Sequence, residues 1–478
     1  MGVRKSKLQQ MNSLKEHFLK NEEVKEQIRK SVSFSHSSSL FKQKAVAWAD
    51  ANFPVFTFLE NNNIAYPQGG FQNVLAVGIH EICTFPEAEN YFEIDQLSPT
   101  FSALLDFQRK NKDWIFGHFS YDLKNEIENL KSQNQEINTF PKAFFYIPQH
   151  LLFFKDKEVI IQSENPKTIF EAIEKFNFLE NSEDNFQEQQ KITIRQLETK
   201  ANYLQNIEKI RNHILNGAVY ELNYCTSFTA ENVFLNPINL FQKLNTASPM
   251  PFAALHKVGN LHKAKSKHTN YLICASPERF LKKEAQKLIS QPIKGTAKRG
   301  NSEKEDETIR KELRNNEKEL AENMMIVDLV RNDLAKSSKA GTVKASELFG
   351  IYTFRHLHQM ISTIESELKE KVSFAAALQN AFPMGSMTGA PKISAMELIE
   401  KYELTKRGLF SGSVGYISPE IDFDFNVIIR SIFYNTEIKK LSFQVGGAIT
   451  YDSTPKKEYE ECLLKAKAII EVLGRGSN

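Results

Sequence analysis

The sequence predicts an α/β protein, on three observations. Short runs rich in aromatic and β-branched residues alternate with segments of helical period along the chain. The 478 residues suffice for two or three average domains, or for one large α/β unit. Apolar content of 41% beside 25% charged residues is that of an ordinary globular core under a charged surface.

Composition also removes classes of function. A net charge of +3 over this length is too small to argue for nucleic acid or a membrane surface as partner. The four cysteines, Cys83, Cys225, Cys274 and Cys462, have no paired or CxxC spacing. They read as reduced thiols of a cytoplasmic protein, with no disulfide frame and no cysteine metal site. No apolar run approaches membrane-spanning length, and the N-terminus lacks the apolar core of a signal peptide. Residues 1–31 read as a polar, Lys/Glu-rich extension.

Residues 32–190 form the first region. Strands are expected at 53–59, 144–148 and 151–154, and residues 114–122 read as a strand entering a loop. The Asn-, Glu- and Gln-rich stretch 177–190 is the linker candidate, and a second region follows over 196–475. There Leu204, Ile207, Ile210 and Ile214 stand at helical spacing before the stop signal Asn216-Gly217. Residues 219–225, containing Glu221, read as a strand.

The chain is organised around Gln291-Pro292-Ile293-Lys294-Gly295-Thr296. The β-rich run 286–290 leads into it, so the six residues read as a strand end turning into a loop. Beside Ile and Gly, the Lys294 ammonium stands to lose water, and partial desolvation lowers a lysine pKa and frees a nucleophile. A lone loop lysine is otherwise a solvated surface residue. Upstream, residues 271–280 read as a strand ending in Ser276-Pro277-Glu278. A carboxylic acid whose pKa is raised by burial can protonate a leaving group.

Ser302 and Glu305 make a capping box that opens a charged helix. A second helix opens at Asn315-Asn316 and runs to Leu334, with Glu319 and Glu322 one turn apart. Glu458 and Glu461 repeat the spacing on the last helix, which starts at Thr454-Pro455. Brought together, two such pairs supply hard oxygen ligands for Mg2+, which keeps several waters and needs few carboxylates. Residues 382–392 carry Ser386 in a glycine-bearing loop before an apolar helix at 393–399, with Thr388 as expected N-cap. Such a helix start offers N–H groups to an anion. Strands close the chain at 412–416, 422–430 and 441–448, the last ending in Gly446-Gly447.

In this order the motifs resemble the chorismate-utilising enzymes: anthranilate synthase, aminodeoxychorismate synthase component I, isochorismate synthase and salicylate synthase. The resemblance runs from about Thr199 to Ile470. It implies a two-lobed α+β fold with large mixed or antiparallel sheets and helices outside. An alanine usually fills the position of Lys294 in the family; lysine there is similar to the aminodeoxychorismate synthases, in which it is the covalent nucleophile. The resemblance makes Glu278 the general acid–base residue, Arg430 the fork for the enolpyruvyl carboxylate, and Glu319, Glu322, Glu458 and Glu461 the Mg2+ ligands. Gly295, Thr296, Ser386, Gly446, Gly447 and Glu221 are implied on the substrate. Glu221 stands where isochorismate synthases carry a water-activating lysine, which argues against that chemistry. Gln359 replaces a frequent histidine, Phe410 a frequent tyrosine and Ala448 a frequent glycine. Phe58-Leu59-Glu60-Asn61 matches imperfectly the tryptophan-pocket signature of anthranilate synthases, so tryptophan regulation is not expected.

The reaction so implied is chorismate plus ammonia giving 4-amino-4-deoxychorismate, on the p-aminobenzoate branch of folate synthesis. No Gly-x-Cys-x-Gly glutaminase signature is present, so a separate glutamine amidotransferase subunit is the expected ammonia source. The rivals are anthranilate synthase component I and a catalytically silent chorismate-binding subunit.

Overall fold

Val55–Glu60 is buried along its whole length, and it stitches the two halves of the chain together. Its neighbours are Val74–Val77 on one side and Phe252–Val258, nearly two hundred residues later, on the other. The computed structural model describes residues 29–36, 40–86, 96–177, 192–261 and 268–474. Within them lie two large antiparallel sheets, of 12 and 10 strands.

The larger sheet runs from Lys30–Ser35 through the first-region strands to Val55–Glu60. It then crosses Phe252–Val258, Asn270–Ser276, Ser431–Asn435 and Lys440–Ile449 to Glu221–Ala230. The smaller sheet starts at Ile293–Lys298, passes through Leu357–Glu367 and Arg279–Glu284, and reaches first-region strands Ile115–Phe119 and Ala143–Ile147. Both sheets therefore draw strands from either side of residues 178–191. The linker candidate lies, from residue 178 on, outside the described residues, as do residues 1–28.

The aromatic runs become strands because both faces are covered. Phe119 packs on Phe145 at 4.6 Å and on Phe425 at 5.6 Å between ring centroids, joining three strands of the smaller sheet. Helix Lys200–Leu215 is capped by Thr199, whose hydroxyl accepts from the Asn202 N–H, and buries Tyr203, Ile207 and Ile210. Leu204 and Ile214 are only half-buried. The Ser302 cap of Glu303–Asn315 and the proline opening Pro455–Val472 stand where the sequence puts them. Glu317–Ser337 begins where expected, behind the Asn316 cap, and runs three residues past Leu334.

Two local expectations are corrected. Residues 293–298 are not a loop: after Pro292 the chain re-enters the sheet against Leu357–Glu367, with Thr296 opposite Gln359. The proline removes one ladder donor without ending the strand pairing. Thr388 is not an N-cap either, since Pro391 precedes helix Lys392–Tyr402 and the Thr388 hydroxyl donates back to Met384 O and Gly385 O.

The Glu60 and Asn61 side chains of the imperfect signature are held inside the protein. Glu60 pairs with Lys42 and accepts from Asn245, and Asn61 donates to Phe71 O.

Candidate active site

The ends of both sheets and the helices 317–337 and 455–472 enclose a cavity of about 1850 Å³. Its wall takes in Lys294, Gly295, Thr296, Glu278, Ser386, Arg430, Gly446 and Gly447, together with all four glutamates Glu319, Glu322, Glu458 and Glu461. Glu221 stands directly behind this wall, its Oε1 accepting from Lys294 Nζ at 2.6 Å. Residues spread over 240 positions of sequence thus meet at one place.

Lys294 is held there by the strand pairing of 293–298 and by Asn323, whose amide donates to the Lys294 carbonyl at 3.3 Å. Its side chain is 11% exposed and that of Glu221 3%. Burial alone pulls the amine pKa down, but Glu221, Glu322 and Glu278 outweigh it, and the pKa is raised. Free nucleophile by desolvation, the expectation from the sequence, is therefore corrected: the resting amine is an ammonium locked to a carboxylate.

Glu278 follows the buried strand Asn270–Ser276 and turns its carboxyl to the cavity, where Ser386 Oγ donates to Oε1 at 2.6 Å. Burial pushes its pKa up to about 7, against the opposing pull of the Ser386 bond, Lys294 and Arg430. At neutral pH such a carboxyl is poised to give or take a proton. Arg430 adopts a left-handed backbone, with φ of 51°. Burial lowers its pKa to about 10 while Glu278 opposes the shift, and it stays a cation at neutral pH. Among the described residues its one side-chain hydrogen bond goes to Met250 Sδ at 3.7 Å, leaving donors for a carboxylate.

The four glutamates line the same cavity. Burial pushes Glu322 up to about 7, with Lys294 opposing, and raises Glu319 and Glu458. Glu461 is lowered by Lys465, 2.9 Å away. Lys318 is the cation the sequence reading missed: burial acts on it first, but Glu322, Glu458, Glu319 and Glu461 together raise its pKa. Its place one residue before Glu319, on a helix already assigned to the site, was the available signal.

Hard carboxylate oxygens lining one cavity suit Mg2+ in chemistry. Gly447 faces this group: a Cβ there would stand in ordinary contact with Lys465 Nζ at 3.6 Å, Glu461 Oε1 at 3.7 Å and Glu458 Oε2 at 3.8 Å, and a larger side chain would reach in among them. Among the described residues no three acidic, histidine or cysteine groups converge at ligating distance. Few direct ligands and several waters are what Mg2+ accepts. At Gly295, with φ of +93°, a Cβ would stand 3.2 Å from Glu319 Oε2, so a bare backbone keeps the lysine strand close to the acidic helix.

The three departures from the family pattern, Gln359, Phe410 and Ala448, all line the cavity, and Gln359 Oε1 is buried with no partner among the described residues. His358 is structural, bonded to Asp306 at 2.8 Å and to Thr353 at 3.0 Å. Lys392 is tied to Asp333 at 2.6 Å. The sequence reading also missed Arg407, fully buried, which bridges Glu403 to the carbonyls of Met387 and Asn223 and so fixes the Ser386 loop to the 221–230 strand. Helix Lys392–Tyr402 ends before both residues, so no helical spacing advertised the Glu403–Arg407 pair.

Comparison with known proteins gives the same direction. The chain is 38% identical over 269 residues to a probable chloroplastic aminodeoxychorismate synthase of Oryza sativa subsp. japonica, covering 56% of this chain and 29% of that one. It is 34% identical over 267 residues to aminodeoxychorismate synthase component 1 of Bacillus subtilis (strain 168), covering 56% and 54%. The chain thus spans about half or less of the length of these relatives. With an anthranilate synthase component I-like protein of Synechocystis it shares 31% identity over 367 residues, 75% of this chain and 72% of the other. Among solved structures, anthranilate synthase component I from Streptococcus pneumoniae TIGR4 superposes with a TM-score of 0.70 at 22% identity, over 85% of this chain and 94% of that one. The menaquinone-specific isochorismate synthase MenF of Escherichia coli gives 0.67 at 15% identity, over 97% and 99%; both show the fold alone. The profile of chorismate binding enzymes matches residues 67–471, and the chain belongs to that family.

Proposed function

We propose that the protein is a component I-type aminodeoxychorismate synthase, converting chorismate and ammonia to 4-amino-4-deoxychorismate. The observation that carries this reading is the Lys294 amine, held inside the cavity in the same electrostatic field as the Glu278 carboxyl. A nucleophile and a proton donor so placed can act on two carbons of one ring. Lys294 attacks ring carbon 2 as the 4-hydroxyl departs, and protonated Glu278 gives that hydroxyl its proton, releasing water. Ammonia then bonds to carbon 4 and expels the lysine nitrogen. Arg430 grips the enolpyruvyl carboxylate, with the Gly446-Gly447 backbone beside it.

Glu322 and Glu461, with Glu319 and Glu458, would hold Mg2+, whose positive charge would bind and orient the ring carboxylate. Ammonia is expected from a separate glutamine amidotransferase subunit. Anthranilate synthase component I is the second reading, favoured by relatives of that name such as the Acetivibrio thermocellus protein at 34% identity. Lys294 weighs against it.

The test is intact-protein mass spectrometry after incubation with chorismate and Mg2+ without ammonia. A mass gain of chorismate less water, mapped to Lys294 and absent from Lys294→Ala, is expected. An unmodified wild-type enzyme that still turns over when ammonia is added would overturn the covalent reading.

A further inference from the structure

We propose that Glu221 is the base that strips the proton from Lys294 and so makes it a nucleophile, then returns the proton when the amine is expelled. This rests on the covalent-lysine reading above. The geometry is direct: Glu221 Oε1 lies 2.6 Å from Lys294 Nζ, and among the described residues it is the nitrogen's one hydrogen-bond acceptor. The other charged groups that act on Lys294 do so from a distance: Glu322 and Glu319 from helix 317–337, Glu278 from the end of its strand, and Glu461 from helix 455–472. The cavity is also lined by Arg430, Glu458 and Glu471 and by the lysines Lys243, Lys298, Lys318, Lys465 and Lys467.

The second oxygen of Glu221 is equally informative. Oε2 is buried and accepts no hydrogen bond among the described residues. A carboxylate held by several donors resists protonation, because each bond favours the charged form. Glu221 has one donor, and that donor is the group whose proton must leave. Once the proton crosses, a neutral acid faces a neutral amine, with no charge left on either buried side chain. Lys294 needs this help because its ammonium is stabilised at rest.

The protons balance over the cycle. The Lys294 ammonium gives its proton to Glu221, and the free amine forms the bond to carbon 2 as the carbon–oxygen bond at carbon 4 breaks. Glu278 supplies the proton that turns the departing hydroxyl into water. Ammonia bonds to carbon 4, the carbon 2–nitrogen bond breaks with its electron pair on lysine, and Glu221 hands back the proton. Glu278 takes the surplus proton from the new ammonium group.

The test measures the rate of adduct formation, at saturating chorismate and Mg2+ without ammonia, from pH 6 to 9 in wild type, E221Q and E221D. Wild type is expected to react at neutral pH. E221Q is expected to be slower by about 100-fold at pH 7, as for loss of a general base. The deficit shrinks toward pH 9, where bulk solvent removes the proton. E221D keeps a carboxylate and keeps the wild-type pH profile. An E221Q rate equal to or above wild type at pH 7, a deficit constant with pH, or an E221D profile that follows E221Q overturns the proposal. Absence of adduct in wild type would instead sink the covalent reading itself, so the two failures are distinguishable.

Discussion

The hydroxyl of Ser386 donates to Oε1 of Glu278 at 2.6 Å, joining two motifs 108 residues apart in sequence. That bond favours the ionised carboxylate, while burial favours the neutral acid and pushes Glu278 up to about 7. Removing the hydroxyl leaves burial less opposed. Ser386→Ala should therefore keep Glu278 protonated to higher pH, moving the alkaline limb of kcat/KM upward. A limb that moves down would contradict the assignment of Glu278 as proton donor. Glu278→Gln, which cannot donate an acid proton, should lose about 10²–10⁴-fold in kcat with chorismate binding retained.

Gly447 separates a role in holding Mg2+ from a merely structural one. A valine there would direct its side chain toward Glu458 and Glu461, while β-branched residues suit a strand. Gly447→Val should weaken Mg2+ binding by about tenfold or more, by analogy with disturbed metal surroundings. Calorimetric titration reads the affinity, and the metal-free melting temperature should barely move. Unchanged affinity would remove these glutamates from the metal site.

Arg407 makes a case about stability. It is paired with Glu403 in the interior, and its guanidinium also holds the carbonyls of Met387 and Asn223. Arg407→Met leaves Glu403 buried and uncompensated, a loss of about 3–5 kcal/mol for a broken buried pair. Denaturant unfolding should show that loss, with kcat falling as the Ser386 loop loosens. A loss under about 1 kcal/mol would mean the loop is held by other contacts.

Deep between the sheets, His118 Nδ1 and His256 Nε2 meet at 3.1 Å. Burial pushes His118 down to about 4 and His256 also downward. Both are neutral in the folded state, whereas unfolded histidine titrates near 6.5. The unfolded chain then binds more protons, so this contribution is present above pH about 6.5 and fades as pH falls toward 4. The gap in melting temperature between wild type and His118→Asn should narrow across that window. A gap constant with pH would mean that the pair is not neutral at rest.

Much of this site was legible because its chemistry rides on short local patterns. Glu319 with Glu322 and Glu458 with Glu461 share a helix face by spacing alone, and the Asn316 cap and the proline at 455 start those helices. Ser276-Pro277-Glu278 marks a strand end without any tertiary knowledge. What stayed hidden depends on distant partners. The strand at 293–298 exists because Leu357–Glu367 is beside it, and no local signal after Pro292 announces that pairing. The upward pKa of Lys294 likewise comes from Glu221, 73 residues away, so local desolvation alone gave the wrong sign. Arg407 was overlooked for the same reason: its carbonyl partners lie on segments that only the fold assembles.

The most direct measurement is the product formed from chorismate, an ammonium salt and Mg2+ by this chain alone. Chromatography with mass detection should find 4-amino-4-deoxychorismate, made by wild type and lost in Lys294→Ala. Fluorescent anthranilate as the wild-type product, with no second enzyme added, would contradict it.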